Sequence, residues 1–595
     1  MATATERLAS LRGALAAAGV DGFVVPHADE HQNEYLPARA ERLAWLTGFT
    51  GSAGAAVVLA ARAAVFADGR YTLQVRREVD AGQWEICHLV EQPPADWLAA
   101  AARPGMRIGY DPWLHTPAGL ERLAEGCRKA GASLVALAAN PVDAVWADQP
   151  PAPVTPAKPH DLAYAGRASA DKRADIAGRL AADGLDAAVI TQPDSIAWLL
   201  NVRGNDVGHT PLVLSFAVLH ADATADWYVD AAKLGPEMAA HLGNAVRVNP
   251  PAAFGAGLDA LAGRRVRACP DTAAAWVFER LAAAGAEIRR GADPVTLPKA
   301  IKNEVELAGT RAAHRRDGAA LSRFLAWLGP AAAGGDLLES AAADKLRALR
   351  AAVPGFRDDS FDTISGAGPN GAVVHYRVTP ATDRRLAPGE LYLVDSGAQY
   401  PDGTTDVTRT VAVGTPDSEM RDRFTRVLKG HIAVATARFP AGTTGGQLDT
   451  LARQYLWQAG LDYDHGTGHG VGSYLAVHEG PQRISKVASG TRLAPGMIVS
   501  NEPGYYKEGA WGIRIENLVA VAALGGVPGG ERPLYGFETL TLAPIDRTLV
   551  DTGLMTPAEI GWLDAYHARV AAEIGPLVDA ATRAWLDEVC RPLAA

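Results

Sequence analysis

Asp395 and Asp406 stand eleven positions apart in LYLVDSGAQYPDGTTDVTRT. Downstream come His469 in HGTGHGVGS, Glu502 in SNEPGYY and Glu516 in GIRIENLVA, each within or at the end of a strand-like run. Four carboxylates and one imidazole form a donor set for a pair of divalent cations. Hard carboxylate oxygens bridge and neutralise such ions, and one imidazole favours a transition metal over magnesium or calcium. Two ions close together can hold and activate a water that hydrolyses an amide. These residue types point to a metallohydrolase.

Taken singly, each residue has a plainer explanation. Leu391, Leu393 and Asp395 share one face of a strand, so the carboxylate ends an apolar row and needs a strong partner there. A lone strand-end Asp is more often a turn cap, and the same holds for Asp406. HGTGHGVGS sets His465 and His469 among four glycines, which let the backbone approach other chain segments closely. That segment lacks the Lys and the frame of a phosphate-binding loop, and the chain has no HExxH helix. Arg514 and Glu516 share a face, with Ile513 and Ile515 on the other. They read either as an intrastrand ion pair of small worth or as a metal ligand with the arginine orienting a neighbouring ligand. His375 in PNGAVVHYRV and His478 in AVHEGP complete the polar set.

The positioning elements follow a repeated plan. ERLASLRGALAAAG followed by DGFVVP (5–27) reads as helix then strand, and so does ADKRADIAGRLAADG followed by LDAAVITQP (170–192). AWLTGFTG and AWLLNVRG continue the two copies, which suggests duplicated α/β domains. Between them, the prolines of DQPPAPVTPAKPHD (148–161) predict a stiff, exposed linker. A third region opens near Ile301 with a long helix, KNEVELAGTRAAHRRDGAALSRFLAWLG, in which Leu321, Phe324, Leu325 and Leu328 trace one stripe. Short strands and turns follow to about residue 520, with a helix across roughly 417–437 and helices again from Thr556 onward. All five candidate ligands fall in this third region.

Composition narrows the function classes. With 595 residues, the length prior suggests three to four domains. Net charge is −10, with no basic run, so a footprint for nucleic acid or anionic membrane is missing. Cys87, Cys127, Cys269 and Cys590 lie far apart, form no CxxC pair and fit a reducing cytoplasm. The first segment reads as an amphipathic helix rather than a signal peptide, and no apolar stretch is long enough to span a membrane.

PNGAVVHY, VDSGAQY with DGTTDVTRT, HGTGHGVGS, VHEGP, NEPGYY and GIRIEN together closely resemble the creatinase/aminopeptidase family with the pita-bread fold, in its three-domain, cytosolic Xaa-Pro aminopeptidase branch. HQNEYLP, LTGFTGSAG, FADGRYTLQ and FETLTLAPIDR extend the resemblance over essentially the whole chain. It implies creatinase-like α/β domains at 1–155 and 156–300. A pita-bread α+β catalytic domain follows at 301–595, with a helical extension from about 534 to 595. Asp395 would bind one metal, Asp406 and Glu516 would bridge two, and His469 and Glu502 would bind the second. His375, His465 and His478 would surround the substrate, with His375, His478 and Glu502 catalytic, and Tyr506 and Arg514 beside the ligands. Arg70 is a candidate contact in the first domain. Manganese is the expected metal, and cobalt or zinc would also suit the donors. The implied reaction removes the residue before a proline at position two, through a water activated between two ions. The resemblance also implies a cytoplasmic homodimer. Prolidase shares the donor set but cleaves dipeptides, and non-catalytic pita-bread proteins have lost ligands; all five are present here.

Overall fold

Each N-terminal repeat closes into its own six-stranded sheet, and the two sheets share one strand order. The computed structural model describes residues 3–487 and 489–593. One compact unit comprises 1–161 and 167–296, and a second comprises 162–166 and 297–595. In the first, the helix Ala4–Ala17 starts at Thr3, whose side chain accepts from the Glu6 N–H. Its strand Gly22–Pro26 pairs antiparallel with Gly54–Leu59 and parallel with Arg107–Tyr110. The second repeat follows suit. After the helix Ser169–Ala182, strand Ala187–Ile190 pairs antiparallel with Phe216–His220 and parallel with Arg265–Ala268. In each sheet one strand (Gly54–Leu59 or Phe216–His220) is antiparallel to both neighbours and every other pairing is parallel. The central strands are buried apolar runs because helices cover both faces. The proline-rich stretch is extended, but it does not stay free at its end. Lys158–Pro159 pairs with Val202–Arg203.

In the second unit the long helix spans Glu304–Ala332. Asn303 caps it by accepting from the N–H groups of Val305 and Glu306, and Leu321, Phe324, Leu325 and Leu328 are buried as the stripe requires. A helix Ser418–Ala435 and a C-terminal pair, Pro557–Ile574 and Ala580–Val589, match the reading of those segments as helical. Two further helices, Glu339–Ala351 and Gly445–Trp457, lie where strands and turns were expected. The chain beyond 533 also opens with a strand, Leu534–Thr539, before its helices.

Two sheets bear on the site. One holds Ile364–Ala367, Leu391–Ser396 and Val407–Ala412, all antiparallel. The other runs Phe439–Pro440, Leu534–Thr539, Asn517–Ala523, Ile498–Asn501, Gly468–Gly470 and Glu479–Ile484. A backbone hydrogen bond from Glu516 N–H to Thr408 O, 3.2 Å, ties one to the other. Among the described residues no helix is long and apolar enough to cross a membrane.

Candidate metal centre

The five donors converge because each stands where a strand begins, ends or bulges. Asp395 is next to last in Leu391–Ser396, opposite Ile364 and Thr408, and Asp406 immediately precedes Val407–Ala412. In the other sheet, Asn501 pairs with Asn517 at the end of the ladder. Glu502 and Glu516 are the next residues beyond that last pair. His469 sits at a register shift between Gly468–Gly470 and Glu479–Ile484, a bulge that re-aims its side chain. The neighbouring glycine is required there. A Cβ on Gly468 would stand 1.9 Å from Ser500 O.

Donor atoms of Asp406, His469 and Glu516 lie within 4.8 Å of one another. His469 Nε2 is 3.4 Å from both Asp406 Oδ2 and Glu502 Oε1. His469 Nδ1 donates to Gly470 O at 2.9 Å, which aims Nε2 at the carboxylates; Nε2 offers a lone pair to a metal once it gives up its proton. Arg514 does not pair with Glu516; it reaches Asp395 Oδ2 at 2.7 Å instead. The other Asp395 oxygen, Oδ1, is buried with no hydrogen-bond donor among the described residues.

Electrostatically the cluster is under-neutralised. Burial raises the pKa of Asp395 against the pull of Arg514, and the nearby Asp406 raises it further. Glu516 stands well above the ordinary range, first from burial and then from Asp406, Asp395 and Glu502. Glu502 is raised by burial too, despite His469 and Arg514. Burial pulls His469 down, but its hydrogen bond to Asp406 and the charge of Glu502 outweigh this and lift it to about 9. Buried carboxylates that repel one another and leave an oxygen unpaired are what a multivalent cation relieves. The donors therefore fit two divalent ions.

The surrounding residues form a connected rim. Arg514 donates to Tyr506 Oη at 2.7 Å, and His465 Nε2 lies 2.8 Å from the same oxygen. His465 Nδ1 is 4.0 Å from Glu502 Oε2. The His478 ring meets His469 edge-on at 4.3 Å and lies 6.5 Å from His375. Side-chain exposure is 4% for Asp406 against 16% for Glu502 and 22% for His469, so the last two face the approach. Arg70 belongs to the other unit, where it pairs with Asp68 at 2.8 Å and Glu34 at 3.4 Å.

Two polar neighbours of the candidate donors escaped the sequence reading. Thr408 donates to Glu516 Oε2 at 2.7 Å and accepts from Arg514 Nε at 3.1 Å. Ser500 donates to Glu502 Oε1 at 2.9 Å and accepts from the His469 N–H. Each lies on a strand two residues from a candidate donor, so the period-two rule was the signal that could have found them.

Comparison with known proteins agrees along the whole length. Residues 308–523 match metallopeptidase family M24, and 533–593 match the C-terminal region of that family. Residues 7–144 and 148–306 each match a creatinase/prolidase N-terminal domain. A probable Xaa-Pro aminopeptidase P of Neosartorya fischeri is 41% identical over 99% of this chain and 93% of its own. Aminopeptidase P2 of Arabidopsis thaliana is 41% identical over 99% and 88%. The crystal structure of an X-prolyl aminopeptidase from Caenorhabditis elegans, described as a cytosolic enzyme with a di-nuclear active site, matches with TM-score 0.95 at 34% identity over 100% of both chains. Two creatinase-type N-terminal domains thus precede a pita-bread domain, and the chain belongs to metallopeptidase family M24.

Proposed function

We infer that this chain is a metal-dependent Xaa-Pro aminopeptidase, which releases the N-terminal residue of peptides with proline in second position. The observation that carries this is the donor cluster of Asp406, His469 and Glu516 within 4.8 Å, with Asp395 and Glu502 against it. The likeness to aminopeptidases P over the full chain supplies the substrate class. Asp395 would hold one ion, Asp406 and Glu516 both, and His469 and Glu502 the second. When bound, two divalent ions supply Lewis acidity to the scissile carbonyl and lower the pKa of water.

The chain's own groups do the rest. Glu502, partly exposed and steadied by Ser500, takes a proton from the attacking water and delivers it to the leaving nitrogen. A bond to proline is a tertiary amide, so that nitrogen must be protonated to depart. His478, packed on the His469 ring, donates to the oxyanion that develops on the carbonyl. His375 and His465 flank the proline ring, and Tyr506 is held between His465 and Arg514. Manganese, a cytoplasmic location and a homodimer are assigned on the family likeness, with four buried free cysteines in keeping with a reducing compartment. Domain limits near 155 and 300 are part of the same reading, supported by where the family matches begin and end.

The test is hydrolysis of Arg-Pro-Pro by metal-stripped enzyme before and after Mn²⁺, with Gly-Pro alongside. Free arginine released only with metal, and little action on the dipeptide, is expected. Dipeptide cleavage alone would mean a prolidase. His478→Ala should lose turnover by about a hundredfold while still binding two ions.

A further inference from the structure

Beside Asp406 the structure holds a small cavity with a mixed lining. Its volume is about 10 Å³, about what one water molecule requires on the same measure. Leu321, Val407, Leu542 and Ala543 make most of its wall apolar, and the polar members are His314 and Asp317 of the long helix with Thr405, Asp406 and Thr541 opposite. His314 is buried, and its Nδ1 stands 2.8 Å from Thr310 O, so Nδ1 donates and Nε2 is left with a lone pair. Burial lowers the pKa of this imidazole, which keeps it in the neutral form.

His314 Nε2 is buried yet has no hydrogen-bond partner among the described residues. A buried acceptor without a donor carries a desolvation penalty, and a leucine would fill the same space without it. Asp317 does not answer it. Both of its oxygens are taken, by Arg350 at 2.9 Å and 2.9 Å and by Tyr400 at 3.0 Å. Thr541 Oγ1 accepts from the Leu518 N–H at 2.9 Å and keeps its own proton for another acceptor. The cavity thus brings together one lone pair, one hydroxyl proton and the Asp406 side.

We propose that this cavity is a structural water site and that His314 is a positioning residue for Asp406. The water accepts from Thr541 and donates to His314 Nε2 and to the Asp406 carboxylate. Three hydrogen bonds are the usual complement of a buried water. Through it the long helix holds the orientation of the carboxylate between the two ions. The inference rests on the reading of Asp406 as a metal ligand. Partners one step removed from a ligand commonly set metal affinity, and their loss weakens it.

The test uses the full-length enzyme loaded with Mn²⁺. A crystal structure fine enough to show ordered water should place one in this cavity, within hydrogen-bond distance of His314 Nε2 and an Asp406 oxygen. Calorimetric titration with Mn²⁺ should show the weaker site of His314→Leu loosened by about tenfold, with the urea midpoint of the apo-protein unchanged or raised. His314→Gln, whose Oε1 reaches where Nε2 stands, should recover affinity to within about threefold of the parent. A purely structural role would move the urea midpoint and leave affinity alone. A dry cavity, parental Mn²⁺ affinity in His314→Leu, or no recovery in His314→Gln would each overturn the inference. Should His314→Leu not fold, the parent crystal structure and His314→Gln decide it. Asp406→Asn separates the two claims: if that variant still holds two ions, the ligand assignment fails whatever the cavity contains.

Discussion

Asp317 and Asp395 lie in the same unit of the molecule, both buried, and their charges are answered in opposite ways. Arg350 lies against both oxygens of Asp317, and Tyr400 adds a third donor. There one negative charge meets one positive charge and the carboxylate is satisfied. Around Asp395, four carboxylates face a single guanidinium and one imidazole, and Asp395 Oδ1 has no donor among the described residues. With His469 neutral, as a ligand must be, Arg514 leaves three negative charges unanswered. Acids placed for structure are neutralised by the fold itself, whereas acids placed as ligands are left for an ion from outside.

The largest effects should break this contrast if it is wrong. Asp406→Asn is expected to lower kcat/KM by at least a thousandfold, about 4 kcal/mol, in a steady-state Arg-Pro-Pro assay. The same change should leave the urea stability of the apo-protein equal or higher, because it removes one repelling charge. Asp317→Asn should do the reverse. Leaving Arg350 buried and unpaired costs about 3–5 kcal/mol of stability by urea unfolding, with Mn²⁺ affinity preserved. Equal destabilisation by both variants would erase the distinction.

A smaller effect sharpens it. Thr408→Val removes the hydroxyl that Glu516 and Arg514 share, and calorimetry should show Mn²⁺ affinity weakened by about 10–100-fold. The smallest effect is a slope with pH. In the apo-protein, the raised acids hold their protons more tightly folded than unfolded, so stability falls as pH climbs from about 4.3 through their raised values. His469 adds stability that is complete below about 6.5 and lost as pH rises through about 9. Glu479 has the opposite sign. Burial alone would raise its pKa, but Lys299 and Lys302 hold it low, so its contribution is complete above about 4.3 and vanishes as pH falls through the folded value. Urea midpoints of the apo-protein should therefore decline between pH 5 and 9, and saturating Mn²⁺ should flatten the decline. Glu479→Gln should abolish the acid-limb loss and lower the midpoint throughout, because the buried Lys299 and Lys302 lose their shared carboxylate. A level apo profile would contradict the charge imbalance.

The candidate donors were legible because local pattern exposes several of them. Asp395, His469 and Glu502 each interrupt or end an apolar alternation beside Gly or Pro. The helix Glu304–Ala332 was legible because its stripe is large and regular. Alanine obscured other elements: ESAAADKLRALRA shows only Leu346 and Ala342 as buried small or aliphatic contacts, so its period is faint and Glu339–Ala351 passed as turn. The partner of Arg514 was hidden for a different reason. Glu516 is two residues away, but the true partner Asp395 lies 119 positions back, and only the meeting of two sheets selects it. The cavity beside His314 joins a helix to distant strands in the same way, and no local pattern signals such a site.

The most direct test of the central claim is the stoichiometry of Mn²⁺ binding to the metal-stripped enzyme near neutral pH, by calorimetry in buffers of differing ionisation enthalpy. Two equivalents per chain are expected, bound with net release of protons from the raised acids and His469. Binding of one equivalent or none, or binding without proton release, would contradict the central claim.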